Sequence, residues 1–176
     1  HNRAIAKKEL GDYIGAIADC NIVIQGNSND PDAYYTRGSA KDELKDYRGA
    51  IADYNEAIKI NPNDGDAFIN RGNAKKELGD YRGAITDYNE AIKINSNNSE
   101  AFINRGVAKS RLKDYRGAIT DYNKAIKINP NDGDAFINRG VAKLNIGNIN
   151  GACLDWSKAG ELGKGVAYKL IREECN

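Results

Sequence analysis

The segment AIKINPNDGDAFINRG runs from Ala57 to Gly72 and again from Ala125 to Gly140, a displacement of 68 residues. A third, altered copy, AIKINSNNSEAFINRG, starts midway at Ala91, so the true period is 34. A fixed period of this length restricts the chain more than any other feature does. Each copy is one small supersecondary unit, too short to bury its own apolar face, and copies are stabilised by stacking on one another.

Aligned at this period, Gly38, Gly72, Gly106 and Gly140 form one column, position 8 of the unit. Ala16, Ala50, Ala84, Ala118 and Ala152 form position 20, and Cys20, Tyr54, Tyr88, Tyr122 and Trp156 form position 24. Repeats then span 31–64, 65–98, 99–132 and 133–166, with a partial repeat at 1–30. Every unit holds two helical patterns. In the first, Asp66 to Leu78, small and apolar residues recur at Ala67, Phe68, Gly72, Ala74 and Leu78. Asp64 is its natural N-cap, and in the preceding unit Asp30 is followed by Pro31 at the favoured first helical position. The second, Tyr81 to Ile94, carries a continuous stripe of Tyr81, Ala84, Ile85, Tyr88, Ala91 and Ile92 behind Asp80 as N-cap. Leu78-Gly79-Asp80 turns between the helices, and NPND or its variants turn between repeats. After Gly163 the pattern breaks, and Val166 to Glu174 reads as a capping helix with Leu170 and Ile171 facing inward.

Composition narrows the function. Lys plus Arg total 26 against 25 Asp plus Glu, a balance unlike that of chains whose affinity comes from neutralising phosphates. Nucleic acid is therefore not an expected partner, nor is a membrane-spanning role, because no apolar run approaches ~20 residues. Nothing argues for a secretory route, and a cytoplasmic setting is favoured. The chain has no Met and starts inside a helical pattern, which leaves room for an upstream segment. Cys20, Cys153 and Cys175 lack metal-ligand spacing. Their odd number makes a disulfide framework improbable, and Cys20 and Cys153 fall at apolar positions where inert thiols are expected. No His–Ser, His–Cys or paired-carboxylate constellation is present, so neither catalysis nor a cofactor or metal is expected. NPNDGD lacks the alternating acids and final Glu of a calcium loop, and GELGKG (Gly160 to Gly165) follows a helix rather than a strand, so it reads as a helix stop.

The layout resembles the tetratricopeptide repeat family. Phe68, Gly72, Ala84, Tyr88 and Ala91 match the family's aromatic, glycine and alanine positions, and Pro62 and Pro130 stand where repeats close. The likeness recurs in every unit. It implies an all-α fold, a right-handed α-solenoid of stacked antiparallel helix pairs, serving as a protein–protein interaction scaffold. It is almost silent on the partner, because one fold hosts many.

Two columns depart from the family. Position 7, ordinarily Leu, is Arg3, Arg37, Arg71, Arg105 and Arg139, and position 11, ordinarily Tyr, is Lys7, Lys41, Lys75, Lys109 and Lys143. The second helices supply Asp19, Asp53, Asp87, Asp121 and Asp155 at position 23. Charges beside a buried stripe need partners. An ionic ladder between helices and a basic stripe that captures an anion both fit, and the Asp column favours the ladder.

By resemblance, positions 2, 5, 6, 9, 12 and 13 of the first helices face a concave groove. The partner-binding candidates there are Ile69, Asn70, Asn73, Ile103, Asn104, Val107, Ile137, Asn138, Val141 and Leu144. The groove becomes more apolar toward the later repeats, and the Asn side chains offer both donor and acceptor to a peptide backbone. Members of the family that clasp C-terminal carboxylates carry Lys and Arg at positions 2, 5 and 6; here those columns hold acids, Ile or Tyr, and Asn or Thr. The expected partner is thus a peptide segment of another protein. The apolar faces around Ile5, Ile14 and Ile17 are expected to be covered by a second molecule, in self-association, or by an upstream segment. The alternative is a regulatory or targeting segment of a larger protein whose catalytic part lies upstream.

Overall fold

The computed structural model describes residues 2–175, and these are helical with no strand among them. The helices are α1 (Asn2–Glu9), α2 (Tyr13–Gly26), α3 (Pro31–Glu43), α4 (Tyr47–Ile60), α5 (Gly65–Glu77), α6 (Tyr81–Ile94), α7 (Ser99–Arg111), α8 (Tyr115–Ile128), α9 (Gly133–Asn145), α10 (Ile149–Glu161) and α11 (Val166–Glu174). First helices begin at Pro31, Gly65, Ser99 and Gly133, the first residue of each repeat, so the 34-residue register is also the structural one.

The ends of the helices follow from single side chains. Asp30, Asp64, Asn98 and Asp132 cap the first helices, each accepting from the backbone N–H three residues on. Asp12, Asp46, Asp80, Asp114 and Asn148 cap the second helices in the same manner. The turn within each pair needs one residue at positive φ. Gly79 supplies it at +80°, whereas Lys45 and Lys113 occupy the same left-handed position at 61° and 65°.

The chain forms two compact units, 1–94 and 95–176. In the first, α1 to α6 pack in consecutive pairs; in the second, α7 to α10 do, and α11 folds onto α10. Each core is built from the alanines of position 20 and the aromatics of position 24, with Tyr54, Tyr88, Tyr122 and Trp156 almost wholly enclosed. Helices within a pair approach closely because position 8 is glycine. A Cβ at Gly106 would lie 2.6 Å from the Tyr122 ring, so any side chain there forces the pair apart.

The ionic ladder is present in every pair. Asp87, 1 % exposed, accepts from Arg71 Nε at 3.1 Å and Nη2 at 2.6 Å, and lies 2.8 Å from Lys75 Nζ. The same triad recurs as Arg37–Asp53–Lys41, Arg105–Asp121–Lys109 and Arg139–Asp155–Lys143. The remaining arginine nitrogen reaches back one repeat: Arg37 Nη1 donates to Asn21, Arg71 Nη1 to Asn55 and Arg139 Nη1 to Asn123. The guanidinium also covers the first-helix aromatic, as Arg71 does Phe68 at 5.3 Å. Lysine at position 7 has neither the fork nor the planar face for these contacts. The basic columns are consumed within the fold rather than offered to an anion.

One expectation is overturned. Cys153 is not a free thiol; it forms a disulfide with Cys175, 22 residues on, with Cα atoms 6.0 Å apart. Because α11 folds back along α10, the chain's last turn arrives beside Cys153, a proximity that spacing in the sequence does not reveal. Cys20 is fully buried as expected, and burial pushes its thiol pKa up.

Candidate peptide-binding groove

The site is built from first helices whose outward faces remain after the ladder and the core have taken their residues. In the second unit, α7 and α9 flank a cavity of about 350 Å³. Val107 and Val141 form its apolar wall, Tyr115 and Tyr122 close one side, and Ser110, Arg111, Asn138 and Asn145 supply polar edges. Val141 is 40 % exposed, so the wall meets solvent on one side. Tyr122 is held by a hydrogen bond with Ser110, and burial pushes its phenol pKa up to about 12. Asn145 Nδ2 donates to the Val141 carbonyl at 2.8 Å, which fixes the rim.

The sequence-derived candidates divide. Val107, Asn138 and Val141 meet in this cavity. Asn104 lies on α7 and donates to Glu100 at 3.4 Å. Ile103 and, from the cavity wall, Val107 pack partly against Ala118, Tyr122 and Ala142, while Ile137 and Leu144 pack against the Trp156 cluster. Ile69 is 3 % exposed and presents no surface to a ligand. Asn70 Nδ2 donates to the Tyr35 hydroxyl and Asn73 Oδ1 accepts from Tyr88, both at 2.8 Å, so these two amides serve the fold of the first unit. The inward turn of position 5 has a simple cause. It follows the core aromatic of position 4 by one residue, and a large β-branched side chain beside a half-open seam finds more apolar contact inside than outside.

Five lining residues were not among the candidates: Ser110, Arg111, Tyr115, Tyr122 and Asn145. Arg111 had a legible signal. Position 13 is Glu43 and Glu77 in the first unit and Arg111 in the third full repeat, a reversal of charge at one groove position. Tyr115 stands on a second helix, outside the positions carried over by resemblance.

The first unit has its own cavity, about 330 Å³, with a different character. Asp42, Glu43 and Glu77 face it together with Lys45, Lys76 and Tyr47. Burial, then the neighbouring Glu43 and Glu77, raise the Asp42 carboxyl above its ordinary range. No group of His, Cys, Asp and Glu among the described residues is arranged to hold a metal ion, and no helix among them is long and apolar enough to cross a membrane.

Comparison with known proteins agrees with this architecture. Tetratricopeptide repeat models match residues 31–64 and 99–132, a second such model matches 53–86 and 121–153, and a TPR repeat model matches 72–113. No curated protein matches in sequence. Among solved structures, a crystal structure of MamA superposes with a TM-score of 0.87 at 22 % identity, covering 94 % of this chain and 96 % of that one. MamA from Desulfovibrio magneticus RS-1 gives 0.87 at 20 % identity over 93 % and 92 %. YrrB, described as a TPR protein with an unusual peptide-binding site, gives 0.83 at 21 % identity over 98 % and 89 %. Identities this low speak for the fold alone. The family models together run from residue 31 to 153 across the repeats seen in the structure, and the chain belongs to the tetratricopeptide repeat family.

Proposed function

We propose that this chain is a binding module rather than an enzyme, and that its second unit holds a peptide segment of a partner protein between α7 and α9. The observation that carries the reading is the apolar wall of exposed Val141 and half-buried Val107, bordered by Asn138, Ser110 and Arg111. A few apolar anchors inserted between polar edges dominate most interfaces, and the amide of Asn138 suits a peptide backbone. Likeness to YrrB, whose description names a peptide-binding site, supports the same class of function.

The test is affinity capture from the source cells, with the parent and Val141→Asp compared by mass spectrometry. The substitution sets a charge against the apolar anchor and should weaken capture by about 2 kcal/mol or more. The helical spectrum and melting point should stay those of the parent, because position 141 is already solvated on one side. Undiminished capture by a folded Val141→Asp protein would move the site elsewhere.

A further inference from the structure

A second cavity of the 95–176 unit, about 430 Å³, shares no residue with the groove. It lies where the start of α7 meets the end of α8, with Phe102 and Ile128 as its apolar floor and Lys124 and Lys127 at its mouth. The two lysines depart from a rule that the other full repeats keep. Positions 26 and 29 form an opposite-charge pair one helical turn apart in three repeats: Glu56–Lys59, Glu90–Lys93 and Lys158–Glu161. In repeat 99–132 alone both positions are basic, Lys124 and Lys127. The macrodipole of α8 accounts for a cation in the last turn at position 29, but not for a second one a turn earlier. Like charges three residues apart on an exposed face repel, so the pair is a local cost to the helix.

We infer that this cavity is a second docking site, and that it takes an acidic segment of a protein partner, one in which carboxylates flank an aromatic side chain. Charge complementarity selects the occupant. Two exposed ammonium groups one turn apart suit two carboxylates of one short segment. The floor between Phe102 and Ile128 suits an aromatic ring. Asn97 and Ser96 complete the rim with groups able to meet a peptide backbone.

The probe is a capped, fluorescently labelled peptide of sequence GSEEFEESG, titrated by anisotropy into the full chain. Two companions replace its glutamates by glutamine or its phenylalanine by glycine. The decisive variant is Lys124→Glu, which restores the acid that Glu56 and Glu90 supply in other repeats and so leaves the fold in place. The acidic peptide should bind, more weakly as salt rises, and Lys124→Glu should weaken it about tenfold, on the scale of converting surface attraction to repulsion. Backbone amide NMR should place the largest shifts at 96–102 and 124–128. Both companion peptides should bind less well, and Val141→Asp should leave affinity as it was. The inference is overturned if the acidic peptide does not bind, if the glutamine peptide binds equally, or if Lys124→Glu changes nothing. Loss on Val141→Asp instead would assign the peptide to the groove.

Discussion

Asp87 shows what one residue does when it repeats. Its carboxylate is enclosed, yet it is approached by three nitrogens of Arg71 and Lys75, whose side chains are 16 % and 22 % exposed. Removing the anion strands two cations beside the core, so Asp87→Ala is expected to cost about 3 kcal/mol in chemical denaturation. Glu90→Ala, which breaks only the exposed pair with Lys93, should cost less than ~1 kcal/mol. Equal costs would show that the ladder is decorative. Tyr122 gives a prediction in alkali. Its folded pKa is raised to about 12 by burial, above the ordinary value of 10.0, so its contribution to stability is complete below the ordinary value and lost as pH climbs through the raised one. Helicity should fall in that window together with the last part of the rise in tyrosinate absorption. Complete tyrosinate absorption reached with helicity intact would contradict the burial.

The elements were legible because their signals are local. Capping aspartates, the Pro31 start and the period-34 stripes place α5, α6 and α11 within a residue or so of where the pattern alone put them. The arginine–aspartate pairing was readable too, because charges at fixed columns beside a buried stripe demand partners. What escaped was contact between elements distant along the chain. The asparagine column that Arg37, Arg71 and Arg139 bond belongs to the preceding repeat, and nothing in one unit's pattern marks it. The α10–α11 disulfide is of the same kind. Closing a loop of this length, 22 residues, stabilises by about 3 kcal/mol in the chain-entropy account. Since α11 has only 9 residues and no side-chain N-cap, reduction should loosen it from Ala159 and Trp156. A lower unfolding midpoint and altered Trp156 fluorescence on reduction are expected, with Cys175→Ser behaving like the reduced parent. If neither moves, apolar contact alone holds α11.

For the whole molecule the question is what remains exposed. Ile14 is 74 % exposed as anticipated, whereas Ile5 and Ile17 are half-buried, and Leu10 and Ile22 join Ile14 at 86 % and 62 % exposure. Apolar surface of this kind on α2 and its leading turn is suited to cover by a second copy or by a further segment, and we propose the second copy. Sedimentation should show concentration-dependent self-association that Ile14→Glu reduces, and a monomer at every concentration would count against it. Here the division between sequence and structure is plain. Repetition at period 34, local capping and periodic apolar faces determined the all-helical stacked-pair fold, because each copy states the same short-range preferences again. Tertiary structure alone decided which side chains of the first helices stay free. Ile69, Asn70 and Asn73 are drawn into contacts of the first unit, while Val107, Asn138 and Val141 are left around a cavity in the second. The physical reason is that exposure depends on the neighbour a residue meets across the packed seam, and a column in a repeat carries no record of that neighbour.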